Sequence, residues 1–180
     1  MKKIDRSIKR LEFINQWISN VDTKSSFVLT FYGVIIIIIF TSDLGKEMLN
    51  TFSYKCATSI DCKSLKLFFS LLVVILFLIA ATITIYNIYQ TLKGRINPNI
   101  YRQQGLNTNS NIFFGTIASK SYSDFENQIM TENKSTFLKD LNSQIFINSN
   151  IADSKFKHYN RSVIWLIISF AMFLTFIIIN

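Results

Sequence analysis

With 180 residues, the chain has room for one domain-sized unit. It is 49% hydrophobic with 17 Phe, and its 19 Lys and Arg against 11 Asp and Glu leave a net charge of +8. Charge is absent from three stretches, 25–42, 67–92 and 162–180, of 18, 26 and 19 residues. That excludes an ordinary soluble domain, because ~20 apolar helical residues at ~1.5 Å rise cross a hydrocarbon core of ~30 Å. The expected fold class is an all-α integral membrane protein: three transmembrane helices with a small cytoplasmic helical bundle.

Residues 1–25 read as a cytoplasmic amphipathic helix. Ile4, Ile8, Leu11, Ile14, Ile18 and Val21 recur at three- and four-residue steps, Phe13 and Trp17 widen the stripe, and Lys9, Arg10 and Glu12 fall off it. Nothing between Ile4 and Phe40 breaks a helix except Gly33, which a membrane helix tolerates. Two arrangements fit: one long helix rising into the bilayer, or an interfacial helix lying flat on it. Residues 26–42 form the first span. It begins too far into the chain for a signal peptide, and no small-residue cleavage pattern follows Ile35–Ile39, so this span is expected to stay.

Residues 43–66 form an extracytoplasmic loop holding both cysteines, Cys56 and Cys62. In an oxidising compartment they either close a small disulfide loop or stay unpaired. No His accompanies them, so a zinc site is not expected. Residues 67–92 are the second span, with a cytoplasmic extension through Tyr86 and Tyr89 to Gly94.

Residues 93–161 read as a cytoplasmic helical region. Pro98, Gly105 and the clustered Asn residues of 94–111 mark a loop. Residues 112–119 read as a short helix, and Ser123-Asp-Phe-Glu126 fits a capping box opening a helix over 124–130. Thr131 is the expected cap of a long helix carrying Leu138, Leu141, Ile145, Ala152 and Tyr159 at helical period. Neither Gly nor Pro occurs after it, so it is expected to run unbroken into the third span, 162–180. So small a bundle has few residues with which to stand alone, and homo-oligomerisation would help it.

Basic flanks set orientation. Fifteen of the Lys and Arg residues lie before the first span or between spans two and three, and four lie in 43–66. The positive-inside rule therefore expects a cytoplasmic N-terminus and an extracytoplasmic C-terminus. The positive charge is this topological signal rather than a nucleic-acid footprint, which clusters Lys and Arg on one face.

No enzyme machinery is legible. Five scattered glycines make no phosphate loop, and no nucleophile elbow or metal-binding His-Glu pair occurs. The single histidine, His158, sits among Lys155, Lys157 and Arg161, a poor metal-ligand setting, and reads as an interfacial polar residue. Uncharged spans argue against an ion-coupled transporter. No cofactor is expected.

Polar residues inside apolar stripes are the remaining clue. Gln144, Asn148 and Lys155 share one side of the long helix with Ile151, and Asp22 and Lys24 mark the membrane entry of the first. Buried, such groups need partners, either one another or a ligand. A ligand site of this kind suits a nucleotide: Lys for phosphate, Gln or Asn for a base edge, and Phe113, Phe114 or Tyr122 for stacking. Lys157 and Arg161 suit anionic lipid headgroups.

Three stretches, in order and against the spans, carry a family resemblance. They are Leu11-Glu-Phe-Ile-Asn-Gln-Trp-Ile-Ser-Asn-Val-Asp22-Thr-Lys24, Phe113-Phe114-Gly115-Thr-Ile117-Ala118, and Asp140-Leu-Asn-Ser-Gln144-Ile with Ile151-Ala-Asp-Ser-Lys155-Phe. The pattern resembles the Pycsar effector family of bacterial transmembrane proteins over nearly the whole chain. The resemblance implies an anti-phage effector in the bacterial inner membrane, functionally linked to a nucleotide cyclase. It would answer a cyclic pyrimidine mononucleotide by impairing the membrane and aborting infection. No β-barrel nucleotide module is recognisable, so sensing would fall to the helical part. The competing readings are a passive membrane anchor or assembly partner, and an effector answering a different nucleotide signal.

Overall fold

The computed structural model describes residues 2–53, 62–94 and 103–180, and among them every regular element is helical. The order is α1 (Lys2–Thr41), α2 (Asp43–Asn50), a 3-10 turn (Thr51–Ser53), α3 (Cys62–Leu92), α4 (Phe114–Ala118), α5 (Tyr122–Thr131) and α6 (Lys134–Ile179). Cys56 and the side chain of Cys62 lie outside the described residues, so the disulfide expectation rests on sequence alone.

Three helices, α1, α3 and α6, are long and apolar enough to cross a membrane. Of the two arrangements open for the N-terminal segment, the continuous one is found: α1 passes Gly33 without a break. Likewise α6 is one helix of 46 residues. Residues 43–66, expected to be loop, hold α2, whose Met48 is buried. A Cβ at Gly45 would lie 2.5 Å from the Ile39 carbonyl oxygen, so only glycine lets α2 turn back this tightly after α1.

The chain forms two compact units, Met1–Asp22 with Lys93–Phe156, and Thr23–Leu92 with Lys157–Asn180. The second is built on an apolar cluster of Ile39, Met48, Val73, Val74, Phe77 and Phe176. Its outer surface is also apolar, with Phe27, Phe31, Ile37, Phe68 and Ile167 exposed, as a lipid-facing bundle requires. His158 pairs there with Asn87, Nδ1 to Oδ1 at 3.1 Å.

Two helix starts differ from expectation. Overlapping Ser-x-x-acid frames occur at Ser121–Asp124 and Ser123–Glu126, and the earlier one is used. Ser121 Oγ accepts from the Asp124 amide at 3.2 Å, so α5 begins at Tyr122. The cap of α6 is Asn133 rather than Thr131. Asn133 Oδ1 accepts from the amides of Ser135 and Thr136, both at 2.9 Å, and Thr136 Oγ1 accepts from the Asn133 amide at 3.0 Å. An Asn side chain satisfies two orphan donors at once, while Thr131 bonds back to Asn127 and closes α5.

Candidate functional site

In the first unit, α1 and α6 run parallel and in register. Asn148 Nδ2 donates to Asn15 Oδ1 at 2.8 Å, and Lys155 Nζ meets Asp22 Oδ1 at 2.6 Å; both pairs are offset by 133 residues. The same offset matches Leu11 to Gln144 and Ile18 to Ile151. Two helices thus present identical i, i+4, i+7, i+11 rows to each other, the spacing of a coiled-coil seam. This Asn–Asn bond is exposed, so it follows the register of the seam rather than enforcing it. Trp17 packs edge-on against Phe156, with centroids 5.9 Å apart, and Ser7 Oγ donates to Asn142 Oδ1 at 3.2 Å.

A cavity of about 410 Å³ opens along this seam. One wall is the α1 row, Leu11, Asn15, Ile18 and Asp22; the other is Gln144, Asn148, Ile151 and Lys155 of α6. Ile112, Phe113 and Phe114 close it, the two ring centroids 4.8 Å apart and the rings tilted by 53°. The size suits a small ligand. Apolar walls with a few convergent polar groups are the usual character of such sites.

What holds the aromatic pair is a buried polar knot. Asp140 Oδ2 accepts from Ser110 Oγ at 3.0 Å and from the Asn111 amide at 2.8 Å. Ser110 Oγ in turn accepts from the amides of Ile112 and Phe113 at 3.0 and 3.1 Å. Lys120 Nζ donates to Asn111 Oδ1 at 2.6 Å, and Asn111 Nδ2 donates to Glu132. Residues 110–113 are thereby fixed without belonging to a helix.

Of the expected site residues, Asp22, Gln144, Asn148 and Lys155 line one cavity, and Phe113 and Phe114 join them. Lys24 is exposed and belongs to the second unit. Tyr122 is exposed on α5 and bonds Glu126. Asn148 and Lys155 have found partners within the protein. Gln144 makes no hydrogen bond to a described residue, and although the residue is only 6% exposed its amide atoms are not among the enclosed polar atoms left without a partner, Ser25 Oγ and Asp140 Oδ1.

Sequence reasoning passed over Asn15, although it lies two turns before Asp22 in a row spaced like that of α6. Asp140 was equally invisible, because the residues it holds are some 30 positions away.

Residues 7–180 match the family model of the Pycsar effector protein domain. GmPycTM, a Pycsar effector protein of Gulbenkiania mobilis, is 35% identical over 98% of this chain and 90% of its own length. No solved structure matches.

Proposed function

The chain belongs to the Pycsar effector family of transmembrane proteins, and from that premise we propose that it senses a cyclic nucleotide in the α1–α6 cavity and answers by impairing the inner membrane. Membership makes it a membrane protein of anti-phage defence. The ligand and the response are the proposed part, with a cyclic pyrimidine mononucleotide as the signal and a cyclase as its source.

The observation that carries the sensing role is Gln144. Its side chain lines the cavity, the residue is only 6% exposed, and its amide makes no hydrogen bond to a described residue, so a ligand with matching donors and acceptors would find it unengaged. A pyrimidine edge offers both. Lys155 supplies the cation for a cyclic phosphate, and Phe113 and Phe114 supply stacking surface. On this reading the first unit is cytoplasmic and the C-terminus extracytoplasmic, which the distribution of Lys and Arg supports.

The test compares Lys155→Ala with Lys157→Ala for toxicity when the signal is produced in cells. Losing a charge-assisted hydrogen bond of ~1.5–3 kcal/mol should weaken ligand binding about 10- to 150-fold and abolish toxicity in Lys155→Ala. Lys157→Ala, a headgroup anchor on this reading, should weaken it slightly. Full toxicity in both variants, at parental expression, would place the site elsewhere.

A second reading is an assembly partner. It is favoured by the exposed Tyr122, Ile129 and Met130 of α5, a surface suited to another chain.

A further inference from the structure

We propose that the Asp22–Lys155 ion pair is a latch between α1 and α6 that an anionic ligand must open, so that filling the cavity and parting the two helices at this level are one event. The inference rests on the sensing role proposed above and adds its regulation.

The charged side chains among those lining the cavity are Asp22 and Lys155, so its formal charge is zero while they are paired. Lys155 is 5% exposed and Asp22 36%, so the ammonium is the enclosed partner and the carboxylate the one nearer water. A phosphate entering this space needs the ammonium that the carboxylate already holds at 2.6 Å. Two anions around one enclosed cation repel strongly, since screening by water is weak there. The exposed partner is the one that can leave at least cost, because water takes up its charge. Ligand and Asp22 are therefore competitors for Lys155.

The position of the pair gives the competition a consequence. It is the last rung of the seam within the first unit, two turns beyond Asn15–Asn148. Past Asp22, α1 continues into the uncharged stretch 25–42, and past Lys155, α6 continues toward 162–180. Opening this rung loosens the two helices where they leave the first unit, and farther along them Tyr32 Oη still donates to Ser169 Oγ at 3.0 Å.

Linkage fixes the sign of the test. If ligand opens the pair, removing the carboxylate must tighten ligand by the same factor, typically about 5- to 150-fold for coupled sites. Asp22→Asn keeps the shape and deletes the charge. Detergent-purified parent, Asp22→Asn and Asp22→Glu would be titrated with cyclic pyrimidine mononucleotides. Each would also be reconstituted in phosphatidylethanolamine–phosphatidylglycerol vesicles loaded with self-quenching dye.

The expected result is that Asp22→Asn binds more tightly than the parent and releases dye without ligand, while Asp22→Glu, which restores the carboxylate, returns both readouts toward parental. Weaker or equal binding with no spontaneous release overturns the latch and leaves the sensing role standing. Tighter binding without release also overturns it, because opening would then not reach the spans. Release by Asp22→Asn that Asp22→Glu fails to reverse marks misfolding and overturns it too. If the parent binds no cyclic nucleotide yet Asp22→Asn releases dye reversibly, the sensing role falls and the latch stands.

Discussion

The two units bury polar groups in different proportions. In the second, most buried hydroxyls donate to their own helix, Thr84 to the Ala80 carbonyl, Thr91 to Asn87, Ser162 to Tyr159 and Ser169 to Leu166, with Tyr32–Ser169 and Ser70–Asn180 among the links that cross. Packing there comes from apolar side chains and small residues that let helices approach, as membrane bundles do. In the first unit, buried Ser7, Lys155 and Asp140 reach across elements to Asn142, Asp22 and Ser110, and the exposed Asn15–Asn148 bond crosses too. Among its described residues, the fully buried apolar side chains are Val21, Leu141 and Ile147, and they are outnumbered by buried polar ones. A membrane bundle can rely on lipid to keep apolar surface covered. The first unit, short of apolar core, needs hydrogen bonds to choose one arrangement.

That contrast can be broken by substitution. The largest effect is expected at Asp140, 1% exposed and bonded to two donors of the 110–113 segment. Asp140→Ala should cost about 1–3 kcal/mol by stranding them. Hydrogen exchange at the Ile112 and Phe113 amides should accelerate, with α3 unaffected; unchanged exchange would mean that the knot is not what fixes this segment. Asn133→Ala removes a local cap and should cost about 1 kcal/mol, seen as faster exchange in the first turn of α6. The smallest effect belongs to the second unit. Thr84→Ala, although fully buried, should cost only ~0.6 kcal/mol in detergent unfolding, the usual worth of a polar contact within a membrane bundle; its hydroxyl donates to Ala80 and also bonds Tyr32. A cost at Thr84 equal to that at Asp140 would erase the distinction between the units.

The same contrast explains what sequence could disclose. Spans, continuous helices and the parental helical class follow from local hydropathy and the lack of breakers, which act within one segment. The row Gln144, Asn148, Ile151, Lys155 was legible because it too is a single-helix period. Its partner row on α1 was only half seen, through Asp22, because Asn15 looks like any polar residue until two helices are set in register. Asp140 and the 110–113 segment depend on contacts distant in sequence, for which periodicity holds no signal. The cap of α5 was misplaced by two residues because two equivalent frames overlap, and local sequence does not rank them.

The measurement that bears most directly on a ligand cavity in the first unit is a paired one on Gln144→Ala. Parent and variant would be compared by thermal unfolding without ligand and by equilibrium titration with cyclic pyrimidine mononucleotides. Gln144 lines the cavity and its amide makes no hydrogen bond to a described residue, so it should be dispensable to the empty protein and the variant should unfold near the parental temperature. Ligand should bind about 2- to 12-fold more weakly for want of one neutral hydrogen bond. A variant that is less stable when empty but binds ligand like the parent would make Gln144 structural and contradict the cavity as the sensing site.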